Sequence, residues 1–272
     1  MFNQIRPLLQ VDSIIMIEEN LKAGNVINLD LDAPIYKYIS FRRLRQMIQN
    51  SSLYFKRVSS WEDVYENWFL KEQLVLPSGE KGIATNLIPG VFGQSWTLQE
   101  ESDAMWRIYS KVDKEQPDYL DDTAVRIKTT GRKLFDVICT DEKDYNTSYI
   151  GAVSYLPQDD FLKMQNSLSP LNPMDLSEVF VKSYFFKRAP FEHEKEVRLI
   201  LVYSPDQENF GKDGVSSDID FENLIDEMVT DPRLTPDEYR TVRGQLIGLG
   251  AKSNKVRNSE LYNIPPHTIH LL

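Results

Sequence analysis

The run Phe191-Glu192-His193-Glu194-Lys195-Glu196-Val197-Arg198-Leu199-Ile200-Leu201-Val202-Tyr203 constrains the fold more than any other part of this chain. It opens as a carboxylate cluster and passes directly into an apolar, β-branched segment of strand length. Side chains alternate faces along a strand, so Glu194, Glu196 and Arg198 fall on one face and Val197, Leu199 and Leu201 on the other. The apolar face needs a core to cover it. The charged face needs partners, because a buried carboxylate is costly unless it is paired or hydrogen-bonded. Two readings stay open on these residues alone: a structural Glu196–Arg198 pair at a strand end, or carboxylates that carry chemistry.

A chain of 272 residues can bury a real core, as one large domain or as a domain with appendages. With 41% hydrophobic and 26% charged residues it has the balance of an ordinary globular protein, and the longest apolar run is strand-sized rather than membrane-spanning. The first nineteen residues mix Asn, Gln, Arg and Asp with apolar residues and lack the features of a secretory signal, so a cytoplasmic location is expected. A single cysteine, Cys139, excludes a disulfide framework and a thiolate metal cluster, and its apolar neighbours read it as a small buried hydrophobe. His193, His267 and His270 have no zinc-ligand spacing, so no metal is expected. The net charge of −10 disfavours nucleic acid and anionic lipid as partners. The Arg42, Arg43 and Arg45 run reads as the solvated face of a helix.

Along the chain, a helix is expected over Val11 to Leu21, within a helical arm at 1–33. A single α+β domain follows at 34–272, with a loop or lid excursion at about 70–93. Ile35 to Ile39 alternates as a strand, Ser40 can cap a helix with Phe41, Leu44, Met47 and Ile48 at helical spacing, and Leu53 to Val58 reads as a strand. Thr97-Leu98-Gln99-Glu100 is a capping-box pattern that predicts a helix from Thr97, with Asp103 one turn before Arg107. Further strands are expected at Val125 to Lys128, Tyr149 to Leu156, Leu224 to Thr230, Val256 to Tyr262 and Thr268 to Leu271. Helices are expected at Gly131 to Cys139, Asp159 to Ser167, about Asp175 to Phe186, and after the capping box Thr235-Pro236-Asp237-Glu238. This irregular interleaving predicts α+β. Gly248-Leu249-Gly250-Ala251-Lys252-Ser253 follows a helix and reads as a helix end, not a phosphate loop. No serine-nucleophile elbow and no HExxH pattern occur.

The order of Ile35-Tyr36-Lys37-Tyr38, Leu53-Tyr54-Phe55, Ser59 to Asn67, Gln94-Ser95-Trp96-Thr97, Met105-Trp106-Arg107-Ile108-Tyr109 and Phe191 to Ile200 resembles a widespread bacterial family of unknown function, the uncharacterised family numbered 2971. The resemblance runs from about Ile35 to Tyr262; Trp61-Glu62 and Val64 depart from the Asn-Asp-Pro core associated with that family. More distantly, a strand, a capped helix and a second strand, a mid-chain serine motif and a late Glu-x-Glu strand resemble the ADP-ribosyltransferase superfamily. That resemblance implies a curved, split mixed sheet flanked by helices, with NAD bound as substrate and no metal. It implies Lys37 in the place of a first-strand Arg or His, Ser95 and Thr97 under the nicotinamide side, and Glu194 and Glu196 as the catalytic carboxylates. Tyr36, Tyr38, Trp106, Tyr109 and Arg198 join the NAD-binding set, as core aromatics or as groove-lining groups. The expected activity is ADP-ribosyl transfer or NAD hydrolysis, with a macromolecular acceptor, in a toxin or antiphage effector. Two rivals stand beside it. One is a non-catalytic nucleotide- or protein-binding module of a defence system; the other is a metal-dependent nuclease using Glu192, Glu194 and Glu196.

Overall fold

The computed structural model describes residues 24–61, 63, 65, 66, 68, 73–75, 79, 81–83, 89–140, 147–167, 176–265 and 268. The helix expected over Val11 to Leu21, most of the 1–33 arm and most of the strand expected over Thr268 to Leu271 lie outside the described residues.

The chain begins with β1 (Val26–Ile27) and β2 (Pro34–Ser40). Ser40 closes β2 and caps α1 (Phe41–Asn50): its side chain accepts from the Arg43 N–H, and Phe41, Leu44 and Met47 are buried on one face. Arg42 and Arg43 lie on the exposed face as the basic run predicts, but Arg45 is half-buried, 2.5 Å from Asp121 Oδ1 and over the Phe41 ring at 5.0 Å. Ser51, at φ 47°, supplies the left-handed residue that turns the chain into β3 (Ser52–Arg57). Within the expected excursion, β4 (Gln73–Val75) and β5 (Lys81–Ile83) form an antiparallel pair, and β6 (Val91–Thr97) follows.

The helix predicted from Thr97 starts instead at Asp103. Ser102 caps this α2 (Asp103–Tyr109) by accepting from the Met105 N–H, while Thr97 stays in the strand. The local capping signal loses to tertiary structure, because the Thr97 hydroxyl bonds the Glu194 carbonyl at 2.6 Å. The Asp103–Arg107 pair forms as expected, at 2.7 Å. Next come α3 (Tyr119–Asp122), β7 (Ala124–Thr130) and α4 (Gly131–Ile138), the last capped by Thr130. The strand expected over Tyr149 to Leu156 is two, β8 (Ser148–Ala152) and β9 (Ser154–Leu156). They part at Val153, whose N–H turns to the Glu196 carbonyl.

Helices α5 (Gln158–Ser167) and α6 (Leu176–Ser183) lead to β10 (Phe186–Arg188). A 3-10 turn (Ala189–Glu194) then delivers the chain to β11 (Glu196–Val202). Lys195 takes the left-handed conformation at φ 42°, so Glu194 reaches the cluster from a turn rather than from the strand itself. Sequence periodicity missed β12 (Gly214–Asp218). After it come α7 (Phe221–Leu224), β13 (Glu227–Thr230), α8 (Pro236–Gly248) and β14 (Val256–Asn258). Both halves of the predicted capping box at Thr235 and Glu238 are formed at the start of α8.

These elements gather into two compact units, one of 1–33, 54–98 and 130–217, the other of 34–53, 99–129 and 218–272. In the first, β1 runs parallel to β8, β8 and β6 flank β11 antiparallel, and β3 joins β6. Its core is Val58, Trp68, Val91, Phe180, Val181, Tyr184, Phe185 and Ile200. In the second, β2 neighbours β7, β7 pairs antiparallel with β13, and β13 runs parallel to β14. Tyr38, Met105, Trp106, Ala124 and Val229 pack together there. Both units are mixed sheets with helices, so the chain is α+β.

Candidate functional site

Glu196 is the first residue of β11 and Arg198 the second after it, so the two share a face. Antiparallel register sets Glu196 opposite Thr97 and Arg198 opposite Ser95, which brings all four to one end of the β6–β11 pair. Arg198 grips Glu196 with both prongs of its fork: Nε donates to Oε1 and Nη2 to Oε2, each at 2.9 Å. Its Nη1 donates to the Tyr184 carbonyl at 2.7 Å, and Nη2 also donates to Glu66 Oε1. The Trp61 ring lies 4.6 Å from the guanidinium carbon. Trp61 reaches this position because residue 93, across β6, is glycine: a Cβ there would stand 2.5 Å from the Trp61 ring. The Arg198 side chain is 0% exposed.

Lys187, from β10, completes the cluster. Its Nζ lies 2.8 Å from Glu194 Oε2, 3.4 Å from Glu196 Oε2 and 3.5 Å from Glu66 Oε1, with the Phe191 ring 4.7 Å away. The Glu196 N–H donates to the Tyr155 hydroxyl at 2.8 Å, and the Ser95 hydroxyl bonds the Glu196 carboxylate. Beside the cluster, Arg188 pairs with Asp63 at 3.1 Å and lies over the Tyr65 ring.

These contacts move the acidity of several of these groups in definite directions. Burial pushes the Glu196 carboxyl toward neutrality, but the Arg198 guanidinium, with Lys187 and Ser95, outweighs it and holds the pKa at about 2. Burial also dominates at Glu66, and here it wins: the Glu66 pKa is raised despite Arg198 and Lys187. Lys187 is opposed by burial, yet Glu196, Glu194 and Glu66 together raise its pKa and keep it an ammonium. Three carboxylates, Glu66, Glu194 and Glu196, face two cations, Lys187 and Arg198.

The aromatic candidates belong to the other unit. Tyr36 and Tyr38 share the inner face of β2; the Arg126 guanidinium carbon lies 4.9 Å from the Tyr36 ring, and Trp106 meets Tyr38 edge-on at 4.8 Å. Tyr109 stacks beside Tyr38 at 6.3 Å and is 42% exposed. Trp106 is fully buried and its ring N–H donates to Glu101 at 2.9 Å, so it is a core residue with a satisfied polar tip. Burial pushes the Tyr38 hydroxyl up to about 12. Lys37 is half-buried and alternates with these tyrosines along β2.

The structure thus brings Ser95, Thr97, Glu194, Glu196 and Arg198 together, and separately Tyr36, Tyr38, Trp106 and Tyr109. Glu192 and His193 are exposed and stand outside the cluster, and Cys139 is buried as expected. Sequence reasoning missed Lys187, Glu66 and Arg126. Lys187 is the buried residue of a strand whose neighbours are half-buried, and Arg126 stands amid the apolar residues of β7. A cation inside a strand is the signal that could have flagged both. Among the described residues no group of three or more His, Cys, Asp or Glu is arranged to hold a metal ion, and no helix is long and apolar enough to cross a membrane.

No family model matches the chain, and no curated protein does. Among solved structures it is similar to Thermus sp. 2.9 DarT in complex with NAD+ (12% identity, 86% of this chain and 98% of that one, TM-score 0.38). It is also similar to the same protein in complex with ADP-ribosylated single-stranded DNA (12% identity, 86% and 97%, TM-score 0.36). For the carba-NAD+ complex the figures are 10% identity, 82% and 94%, and a TM-score of 0.33.

Proposed function

We propose that this chain cleaves the bond between nicotinamide and ribose in NAD, as an ADP-ribosyltransferase or an NAD hydrolase. The observation that carries the proposal is the joining of Ser95, Thr97, Glu194 and Glu196 at one end of the β6–β11 pair, with Glu196 ionised. The superfamily resemblance gives these four residues a role, together with Lys37, which belongs to the other unit. Breaking this bond builds positive charge on the ribose, and a preorganised carboxylate stabilises that charge without reorganising. The acceptor is water or a macromolecule, and the biological setting is a cytoplasmic toxin or defence effector.

One observation favours a second reading. The Glu196 carboxylate already accepts from Arg198, Lys187 and Ser95, as an anchor of structure does. A nucleotide- or protein-binding module would use it so. Release of nicotinamide from NAD by the purified chain, undiminished by EDTA, decides between them. Saturable NAD binding without release would leave only the binding module; EDTA-sensitive cleavage of nucleic acid would favour the nuclease.

A further inference from the structure

We infer that Lys187 positions both carboxylates of Glu194-x-Glu196 and that Glu194, rather than Glu196, is the one that meets substrate. The inference rests on the nicotinamide-cleavage reading above. A carboxylate accepts at about four lone-pair sites. Glu196 fills them with Arg198 Nε, Arg198 Nη2, Lys187 Nζ and the Ser95 hydroxyl, and its side chain is only 6% exposed. To bind a ribose hydroxyl it would first have to release one of these donors. Glu194 makes one side-chain hydrogen bond among the described residues, from Lys187 to Oε2, and its side chain is 16% exposed. Accepting capacity and access therefore coincide at Glu194.

Its placement is also firm. The Thr97 hydroxyl holds the Glu194 carbonyl at 2.6 Å, and the Leu98 N–H holds the carbonyl of the left-handed Lys195 at 2.9 Å. Lys187 is fixed from behind: β10 runs parallel to β9 with Lys187 opposite Tyr155, whose hydroxyl accepts from the Glu196 N–H. An ammonium has three donors, and here they face Glu194, Glu196 and Glu66, with the Phe191 ring beside them. In the step itself the C1′–N bond breaks and its electron pair leaves on nicotinamide. The oxygen of water or of an acceptor bonds C1′, and its proton passes to solvent. Glu194 faces the transient positive charge and is unchanged at the end.

The test is nicotinamide release by the full chain and by Glu194→Gln, Glu196→Gln, Lys187→Met and Lys187→Arg. Glu194→Gln is expected to fold as the wild type and lose kcat about 100-fold or more, with KM within about threefold. Lys187→Met is expected to lose kcat in the same way, and Lys187→Arg to recover it to within about tenfold of the wild type. Near-wild-type kcat in Glu194→Gln beside a folded, inactive Glu196→Gln overturns the assignment. A wild type that releases no nicotinamide refutes the underlying reading instead. The bridge is then decided by urea unfolding of Lys187→Met, Glu194→Gln and the double variant, where coupling of about fivefold or more in the unfolding constant is expected and additivity overturns it.

Discussion

Replacing Arg198 by methionine tests the centre of the charged cluster, and its cost depends on pH in a calculable way. Arg198 is wholly buried between Glu196 and Glu66, so its removal strands carboxylates with Lys187 as their nearest cation. Breaking a buried pair by deleting one partner costs about 3–5 kcal/mol. Part of this can be worked from Glu196 alone. Its pKa falls from the ordinary 4.5 to about 2, which at about 1.4 kcal/mol per tenfold change in proton affinity corresponds to about 3 kcal/mol. The folded value is the lower one, so this stability is present above about pH 4.5 and is lost as pH falls toward 2. By pH 3 about 2 kcal/mol of it has gone. Without Arg198, burial lifts the Glu196 pKa and the contribution is missing at every pH. The deficit of Arg198→Met should therefore stand at about 4 kcal/mol at pH 7 and narrow by about 2 kcal/mol at pH 3. Urea unfolding followed by tryptophan fluorescence measures both, since Trp61, Trp68 and Trp96 lie in the same unit. A deficit below about 1 kcal/mol at pH 7, or one of equal size at both pH values, would refute the reasoning.

Glu66→Gln should stabilise the chain at pH 7 and lose that advantage in acid. A raised pKa means the ionised form is disfavoured in the fold above it, and stability is fully present only below the unfolded value; urea midpoints at pH 7 and pH 3.5 check the sign. Gly93→Ala should cost about 1–3 kcal/mol because its Cβ would meet Trp61. Gly244→Ala, inside α8 with nothing within 4 Å, should gain about 0.5–1 kcal/mol, and thermal melts of the pair compare them. Ser102→Ala should cost about 1 kcal/mol through the lost α2 cap, whereas Thr97→Val should leave that helix intact. Amide exchange of residues 103–109 in the two variants distinguishes these outcomes.

Features decided within a few residues were legible in the sequence. Ser40 before a helical apolar spacing gave α1 with its cap, Thr235 and Glu238 gave α8, and the period of two put Glu196 and Arg198 on one face. The errors came where distant partners decide. Thr97 carries a sound capping pattern, but its pairing with Glu196 and its bond to the Glu194 carbonyl keep it in β6. Glu66 and Arg198 stand 132 positions apart, and no local rule links them. Lys187 is nine positions from Glu196, yet a turn of 3-10 helix, not a strand or helix period, brings them together.

The composition of the cluster bears on whether Glu196 and Arg198 form only a structural pair or belong to a site of chemistry. A structural pair at a strand end needs only Glu196 and Arg198, and the bidentate contact between them would satisfy both. The fold adds Glu66, Glu194 and one further cation, Lys187, leaving an excess of one carboxylate in a buried place. Such an excess costs stability, and at Glu66 burial raises the pKa against the pull of Arg198 and Lys187. Buried carboxylates with shifted pKa values cluster at sites of chemistry, and structural ion-pair networks shift them as well. On the proposed reading the use of the excess is plain: a site with one surplus negative charge meets a ribose that becomes positive as nicotinamide leaves. If Glu66→Gln stabilises the chain and slows nicotinamide release together, the surplus charge is functional. If it stabilises the chain and leaves turnover unchanged, the surplus charge has no part in turnover and Glu194 acts without Glu66.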